Sequence, residues 1–409
     1  MPSARQTAFE ILHRWEETSI YAEELIARHA ANLSQADRGF TNALVMGVLR
    51  NLSLVDHWID TLRGRGKLKD DARNALRLGL FQILCMRVPD HAAVNESVGL
   101  VRKHARAVVN AILRRATREQ ESLLAEVEEL PAEIRFSAPD FLIAKWEAQF
   151  GSEATRSLCE WNNEPAEVII RANRLKADAL QTIEESEDAT PIPGTDYFFR
   201  VPHLPFDWID RGIAYVQDPA TMLAPKLLDP KPGQRVLDAC AAPGGKSALL
   251  AELMNNEGEL IATDRSEKRC ETLRENLQRL GVTIADVASA NWGSDSPELE
   301  PFDAILLDVP CSNTGVLRRR VDVRWRLYEG FTDHLCKQQL AILESCAPLL
   351  KPGGNLVYST CSIEPEENSD LVAGFLAAHP EYKLDSSAEA LPHRDSTDGA
   401  YAARITRIG

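Results

Sequence analysis

Two cysteines that follow apolar, strand-like runs are the first candidates for chemistry in this sequence. Cys311 lies in "AILLDVPCSNTG" and Cys361 lies in "LVYSTCSIEPEEN". A thiolate is a strong nucleophile, but an unperturbed cysteine, with a pKa of about 8.5, is only slightly ionised at neutral pH. A helix beginning directly after each turn would favour the thiolate. If the strand order brings the two turns together, both thiols face one ligand crevice.

A thiol beside a methyl donor suits one reaction in particular. Carbon C5 of cytosine is a poor nucleophile, but addition of a thiolate at C6 enables C5 to accept a methyl group. Asp308, which ends the strand before Cys311, would stabilise the charge that develops by hydrogen bonding to ring N3 and the exocyclic amine. The base must leave its stack to reach such a pocket. Spacing alone does not decide which thiol attacks.

A glycine-rich turn between a strand and a helix offers a cofactor site. It lies in "VLDACAAPGGKS" and matches neither the P-loop nor the G-x-G-x-x-G spacing. Asp264 ends the next strand, where it would hold a ribose hydroxyl pair or cap the following helix. Asn291, after the third strand, would contact an adenine edge or cap a turn. The glycine-rich loop and Asp264 together favour an adenosine-containing cofactor. They do not distinguish a nicotinamide dinucleotide from S-adenosylmethionine.

An arginine-rich segment follows Cys311 and is the candidate RNA contact. Guanidinium groups bind phosphates and stack on splayed bases, as single-stranded RNA recognition requires. The alternative is a surface patch paired with Asp322 and Glu329. The candidate residues are Arg318, Arg319, Arg320, Arg324 and Arg326.

Charge and composition indicate a globular protein with a locally basic N-terminal part. The 409 residues carry a net charge of −15, yet the first 120 hold 18 Lys and Arg against 13 Asp and Glu. This asymmetry indicates either an RNA contact or a solvated helix surface. The eight cysteines form no C-x-x-C pair or zinc pattern, which favours free thiols in a reducing compartment. With no signal-like segment or long apolar run, we expect a cytoplasmic protein.

The periodicity of apolar residues predicts three domains of an α/β protein. Residues 4–118 show helical spacing throughout, whereas strands alternate with helices in the last part of the chain. That alternation predicts a doubly wound, mostly parallel, Rossmann-like sheet with ligands at the carboxyl ends of its strands. The predicted domains are 1–130, all helical; 131–209, a small α+β connecting module; and 210–409, the sheet domain.

The combined motifs resemble the RNA cytosine-5 methyltransferases, and within them the bacterial Sun/Fmu type that acts on small-subunit ribosomal RNA. The cofactor loop "DACAAPGGKS", the Pro-Cys motif "LLDVPCSNTGVLRRRVDVRW", the Thr-Cys motif "YSTCSIEPEEN" and the closing "DGAYAARITRIG" carry the likeness. The helices containing "ARQTAFEIL" and "DRGFTNALVMGVLR" are similar to the NusB-like RNA-binding domain of this type.

The resemblance implies roles that spacing could not assign. Cys361 would be the nucleophile, Cys311 would assist product release, and Asp308 would lie near the methyl-transfer centre. Asp264 would bind the ribose of S-adenosylmethionine, and Asn291 stands where the family usually has an acid. The other implied cofactor-binding residues are Cys240, Ala241, Ala242, Pro243, Gly244, Gly245 and Lys246.

The predicted activity is therefore methylation of C5 of a specific cytosine in 16S rRNA. The expected partner is this rRNA, naked or in an early assembly particle, and the expected protein is a monomer without a metal or a membrane contact. Two alternatives stay open: a tRNA cytosine-5 methyltransferase, and a non-catalytic RNA-binding ribosome assembly factor.

Overall fold

The computed structural model describes residues 3–64, 68, 70–86, 88–294 and 297–408, in two compact units. The first, the helical unit, comprises Met1–Glu164 and Leu317–Tyr328; the second, the sheet unit, comprises Pro165–Val316 and Glu329–Gly409. The predicted connecting module, 131–209, does not form a unit of its own in the described residues. Its chain up to Glu164 packs in the helical unit, and the rest packs in the sheet unit.

The helical unit is built from the amphipathic segments that the periodicity predicted. Ser34 caps α3 by accepting a hydrogen bond from the amide of Asp37 at 3.1 Å, as expected of a serine before a helix. None of the helices in the described ranges is long and apolar enough to span a bilayer. The helices are α1 (Ala4–Glu17), α2 (Ala22–His29), α3 (Gln35–Arg50), α4 (Leu52–Arg63), α5 (Asp70–Leu84), α6 (Asp90–Leu100), α7 (Lys103–Arg118), α8 (Gln120–Ala125), α9 (Ala132–Arg135), α10 (Asp140–Phe150) and α11 (Ser152–Asn163).

The arginine-rich segment Leu317–Tyr328, called the strap below, is part of the helical unit. Val321 is fully buried in the core of this unit. The carboxylate of Asp322 accepts hydrogen bonds from the indole of Trp15 at 3.1 Å and from the amide of Ala22, the first residue of α2, at 2.7 Å. A carboxylate at a helix N-terminus satisfies a free amide and interacts favourably with the helix dipole. The strap therefore contributes both a core residue and a helix cap.

A small antiparallel sheet opens the sheet unit. Its strand order is β2-β3-β1-β4. Its core is formed by buried Ile, Phe and Ala side chains. The elements are β1 (Val168–Ala172), α12 (Ala179–Glu184), β2 (Thr190–Pro191), β3 (Phe198–Val201), α13 (Phe206–Asp210) and β4 (Ala214–Val216).

The larger sheet has seven strands in the order β10-β11-β9-β8-β5-β6-β7. Its central pairs are parallel, and β11 runs antiparallel between β9 and β10, so the predicted doubly wound, mostly parallel sheet is confirmed. The elements are α14 (Leu223–Leu228), β5 (Arg235–Asp238), α15 (Gly245–Leu253), β6 (Glu259–Asp264), α16 (Glu267–Leu280), β7 (Ala285–Ser289), β8 (Phe302–Asp308), α17 (Thr332–Cys346), β9 (Leu350–Thr360), α18 (Ser369–Ala378), β10 (Tyr382–Ala390), α19 (Pro392–Asp395) and β11 (Ala400–Arg407).

The register of β8 and β9 decides where the two cysteine motifs meet. These strands are parallel neighbours, with Asp308 opposite Ser359. Because both strands run the same way, the segments that leave their carboxyl ends emerge at the same edge of the sheet. Cys311 and Cys361 lie in those two segments.

Candidate functional site

The two thiols are in contact. The Sγ atoms of Cys311 and Cys361 are 3.2 Å apart, and both residues are partly buried. The sequence left open whether the strand order would bring the two turns together, and the pairing of β8 with β9 does so.

Asn313 links the two cysteine loops and was not singled out from the sequence. Its side-chain oxygen lies 3.3 Å from the Cys361 Sγ, which donates to it, and its side-chain amide donates to the Cys311 carbonyl at 2.8 Å. Asn313 has a φ of 60°, a left-handed conformation that asparagine adopts more readily than most residues. The sequence signal that could have identified Asn313 is its position two residues after Cys311.

The surroundings of Cys311 keep its proton in place. A hydrogen bond with Cys361, burial, and the negative charges of Cys361 and Glu367 all raise the pKa of Cys311 well above its ordinary value. The thiol of Cys311 is therefore suited to donate a hydrogen bond to the sulfur of Cys361.

Asp308, the last residue of β8, forms an ion pair with Lys246 in the first turn of α15. Lys246 Nζ lies 2.6 Å from Asp308 Oδ2. Burial by itself would lower the pKa of Lys246, but the charge and hydrogen bond of Asp308, with smaller contributions from Cys361 and Asp238, raise it above its ordinary value. The site therefore holds a permanent cation beside Asp308.

The glycines of the cofactor loop are required by packing inside the protein. A Cβ on Gly244, whose φ is +110°, would lie 2.8 Å from Leu273 Cδ1, and one on Gly245 would lie 2.7 Å from Tyr215 Cε1. The close approach expected of these glycines is thus toward neighbouring side chains. The loop continues into the first turn of α15. The first amides of a helix have no intrahelical partner.

The start of α15 and the polar groups around it fit a cofactor that carries a carboxylate and a cationic centre. Free amides at a helix N-terminus bind an anionic group, and the Asp308 carboxylate ends the neighbouring strand. Asp238, at the end of β5, is fully buried and accepts a hydrogen bond from the Ser247 hydroxyl at 2.7 Å. Burial raises the pKa of Asp238 to about 7, against the opposing effect of Ser247. Burial also raises the pKa of Cys240, which argues against a nucleophilic role for this thiol.

Asp264 and Asn291 end β6 and follow β7, as predicted. The Asp264 carboxylate accepts a hydrogen bond from the Ser266 amide at 3.2 Å and lies 3.1 Å from Arg269 Nη1. Asp264 does not cap α16, whose N-cap residue is Ser266; its carboxylate closes a turn before that helix. Asn291 is exposed, and its backbone carbonyl closes a turn by accepting from the Ser294 amide at 3.3 Å.

Comparisons with known proteins identify the family of this chain. The chain is 32% identical to the probable ribosomal RNA small subunit methyltransferase B of Bacillus subtilis (strain 168), over 100% of this chain and 99% of that protein. It is 33% identical to the protein of the same description from Synechocystis sp., over the full length of both. Residues 225–406 match the model of the 16S rRNA methyltransferase RsmB/F family. The chain belongs to this family.

Further family models match other parts of this RsmB/F family member. Residues 2–118 match the NusB family, and residues 138–190 match the ferredoxin-like domain of the RsmF/B-like methyltransferases. The crystal structure of PH0851 is similar over 100% of this chain and 99% of that one, with a TM-score of 0.79 and 27% identity. The predicted family and fold class are confirmed.

The structure of this family member changes the interpretation of the arginine-rich segment. Arg324 is 1% exposed, and its guanidinium donates to the carbonyls of Ser137 and Asn162 and to the side chain of Asn163, at 2.8–3.1 Å. A guanidinium enclosed in this way has no surface for a phosphate. Burial and the charge of Arg50 lower the pKa of Arg324 to about 10.

Two more of these arginines are engaged within the helical unit. Arg318 is buried, with its guanidinium 4.0 Å from the centre of the Trp161 ring. Arg326 donates to the backbone carbonyl of Trp15 at 2.9 Å. Arg319 is half-buried and Arg320 is exposed. On grounds of exposure, the RNA contact stays a prediction for Arg320 and the half-buried Arg319.

Proposed function

We propose that this protein transfers a methyl group from S-adenosylmethionine to C5 of a cytosine in 16S rRNA. The observation that supports this most is the 3.2 Å contact between the thiols of Cys311 and Cys361, at the carboxyl ends of neighbouring parallel strands. One reactive thiol by itself would be compatible with many reactions and would not specify this one. A second, proton-bearing thiol in contact with the first is suited to a nucleophile that must attack and then leave.

Cys361 is the attacking residue in this proposal. Its thiolate sulfur forms a bond to C6 of cytosine, and the electron pair of the C5–C6 double bond moves toward the ring carbonyl and N3. Asp308 accepts a hydrogen bond from the exocyclic amine, while Lys246, 2.6 Å from Asp308, is the cation that stabilises the negative charge developing on N3. Fixed charges in a partly buried site stabilise a developing charge without reorganising solvent.

Cys311 acts in the release of the product. Once C5 carries the methyl group, a base in the pocket removes the C5 proton, the electron pair reforms the C5–C6 double bond, and the bond from C6 to the Cys361 sulfur breaks. The Cys311 thiol, in contact with that sulfur, stabilises the departing thiolate by donating a hydrogen bond. Its raised pKa ensures that the proton is present.

The cofactor loop supplies the methyl donor's binding site. When bound, S-adenosylmethionine provides an electrophilic methyl group. Asp264 would bind the ribose, Asn291 would face the adenine, and Asp308 would lie near the donor's cationic centre. The remaining residues that would hold it are Cys240, Ala241, Ala242, Pro243, Gly244, Gly245 and Lys246.

The proposed substrate is 16S rRNA, either naked or in an early assembly particle. The name of the family and those of the relatives from Bacillus subtilis and Synechocystis point to small-subunit rRNA, and a NusB-family segment precedes the catalytic part. Arg319 and Arg320 are the proposed phosphate contacts. We further propose that the protein acts as a monomer in the cytoplasm.

The test is methyl transfer from labelled S-adenosylmethionine to unmodified 16S rRNA by the full-length protein. Cys361→Ser should abolish transfer and form no covalent RNA adduct, whereas Cys311→Ser should accumulate an adduct visible on a denaturing gel. Cys85→Ser, at a thiol of the helical unit, serves as the matched control and should behave as wild type. If both Cys361→Ser and Cys311→Ser methylate normally, the two-thiol mechanism is wrong.

Two other outcomes would select the alternatives. Label appearing in tRNA and not in 16S rRNA would identify a tRNA methyltransferase with the same chemistry. Binding of cofactor and RNA without transfer to any cytosine would identify a non-catalytic assembly factor.

A further inference from the structure

Glu367 is a buried carboxylate beside the two cysteine loops, which the mechanism above uses only through its effect on the pKa of Cys311. It ends the short 3-10 turn Pro365–Glu367, between β9 and α18, and its exposure is 0%. An ionised carboxylate is costly to bury unless hydrogen bonds compensate for its lost hydration. Its partners therefore indicate what it does.

The carboxylate of Glu367 binds the residue that follows each thiol. Ser312, directly after Cys311, donates its amide to Oε1 at 3.0 Å and its hydroxyl to Oε2. Ser362, directly after Cys361, donates its hydroxyl to Oε2 at 2.5 Å. One side chain thus joins two loops that lie 50 residues apart in the chain.

Glu367 is itself held in place by buried groups of α17 and β9. Gln339 donates its side-chain amide to Oε1 at 2.8 Å and to the carbonyl of Pro310 at 2.9 Å. Tyr358 donates its hydroxyl to the backbone carbonyl of Glu367 at 2.7 Å. The carboxylate is therefore a fixed point to which both loops are attached.

We propose that Glu367 is a positioning residue, which holds the Cys311 and Cys361 loops together so that the two sulfurs stay in contact. Its importance for methyl transfer rests on the function proposed above, but the positioning itself does not. Glu367 acts through Ser312 and Ser362.

A carboxylate suits this role better than an amide. Its two oxygens accept the hydrogen bonds of Ser312, Ser362 and Gln339, and an ionised carboxylate has about four acceptor sites. Glutamine has nearly the same shape but offers one acceptor oxygen, and its amino group would face donors. Glu367→Gln therefore breaks the connection with little change in volume.

The charge of Glu367 also affects the thiol of Cys311. Together with Cys361, it is one of the groups that raise the pKa of Cys311, and Tyr358 also interacts with Cys311. Removing the charge should lower the pKa of Cys311. A residue that only filled space would not have this effect.

The first experiment measures the contact between the thiols directly. Purified protein is equilibrated with reduced glutathione and glutathione disulfide, and the Cys311–Cys361 disulfide is quantified by peptide mass spectrometry. Each disulfide formed in the protein converts one glutathione disulfide into two glutathione thiols, so the equilibrium constant reports the effective concentration of the two thiols. We expect Glu367→Gln to lower this concentration by about tenfold or more, equivalent to about 1.4 kcal/mol.

Glu366→Gln is the matched control, because Glu366 is the exposed neighbour in the same turn, and it should match wild type. An unchanged equilibrium constant in folded Glu367→Gln would overturn the proposal. If Glu367→Gln does not fold, Ser362→Ala removes one of the hydrogen bonds, and a wild-type constant in that variant would overturn it equally. Neither RNA nor turnover is needed, so this result is independent of the proposed function.

The second experiment measures the pH at which Cys311 reacts with iodoacetamide, in a Cys361→Ser background. Glu367→Gln should shift the midpoint to lower pH, and an unchanged midpoint would show that Glu367 exerts no electrostatic effect on Cys311. In methyl-transfer assays, Glu367→Gln should lower kcat and leave the KM for RNA unchanged. A rise in KM alone would overturn a role in positioning the thiols.

Discussion

Lys246, in the first turn of α15, and Asp308, at the end of β8, form an ion pair of 2.6 Å. A second pair, between Asp303 and Lys351 at 2.7 Å, lies at the opposite end of β8. The same strand therefore carries two aspartate–lysine pairs, and only one of them is at the edge of the sheet where the thiols meet.

Replacing Asp308 tests whether that pair serves catalysis. Asp308→Asn should lower the rate of methyl transfer by about a hundredfold, in the range found when one preorganised group is removed from an active site. Asp303→Asn is the matched control, and its rate should stay within about twofold of wild type, because surface ion pairs contribute little. Single-turnover kinetics with saturating RNA make the comparison, and equal losses in both variants would show that the pair at the site is structural.

The backbone of the two cysteine segments meets at Gly315. A Cβ on Gly315 would lie 2.7 Å from the carbonyl oxygen of Cys361 and 2.7 Å from the Cα of Gly399. Because both contacts are with backbone, no side chain can rotate away to make room. Gly315→Ala should therefore displace the Cys361 loop and reduce the rate of adduct formation by at least about tenfold.

Gly374 provides the control for that substitution. It lies inside α18, and a Cβ there would meet nothing within 4 Å. Gly374→Ala should retain full activity and raise the free energy of unfolding by up to about 1 kcal/mol, because alanine is the better helix former. A Gly315→Ala variant as active as Gly374→Ala would show that the loop tolerates the shift.

The strap predicts opposite phenotypes for two of its arginines. Arg324→Ala should destabilise the protein by about 2–3 kcal/mol, since it leaves the buried carbonyls of Ser137 and Asn162 without a donor. Relief of the repulsion from Arg50 offsets part of this loss. Arg320→Ala, at an exposed position, should leave the melting temperature unchanged.

Arg320→Ala should instead weaken RNA binding and reduce the slope of log Kd against log salt concentration by about 1, as loss of one phosphate contact would. Binding titrations at three salt concentrations make the measurement. An unchanged slope in both Arg319→Ala and Arg320→Ala would remove the strap from the RNA-binding surface.

Asp238 predicts a pH-dependent stability of defined sign. Burial raises its pKa to about 7 in the folded protein, above the value of about 3.9 in an unfolded chain. The folded state thus binds the proton more tightly, and the stability it contributes is present below pH 4 and is lost as pH rises to 7. Relative to Asp238→Asn, the free energy of unfolding of the wild type should fall by at least about 2 kcal/mol between pH 5 and pH 8, at about 1.4 kcal/mol per pKa unit.

Thermal unfolding of both proteins across this pH range tests that sign. Asp303→Asn is the control, because its ion pair lowers the pKa of Asp303 against the opposing effect of burial, so the group stays ionised from pH 5 to pH 8 in both states. The difference in free energy of unfolding between Asp303→Asn and wild type should not vary from pH 5 to pH 8. If the difference in free energy of unfolding between wild type and Asp238→Asn is constant over this range, the raised pKa of Asp238 is contradicted.

Local patterns in the sequence were sufficient for the elements and for the identity of the reactive groups. Helical spacing predicted the helices of residues 4–118, because an amphipathic helix is a property of neighbouring residues. Alternation of strands and helices predicted the sheet and placed Asp264, Asp308 and Cys361 at its carboxyl edge. The motifs themselves carried the resemblance to the family.

Only the tertiary structure decided which of these groups meet and which are withdrawn from solvent. The contact of Cys311 with Cys361 depends on the pairing of β8 with β9, and the burial of Arg324 depends on partners more than 160 residues away in the chain. Charged residues are seldom buried, so the sequence favoured an exposed arginine patch. Glu367 could not be distinguished within its acidic run, because its partners Ser312 and Gln339 lie on other segments that come together only when the sheet has formed.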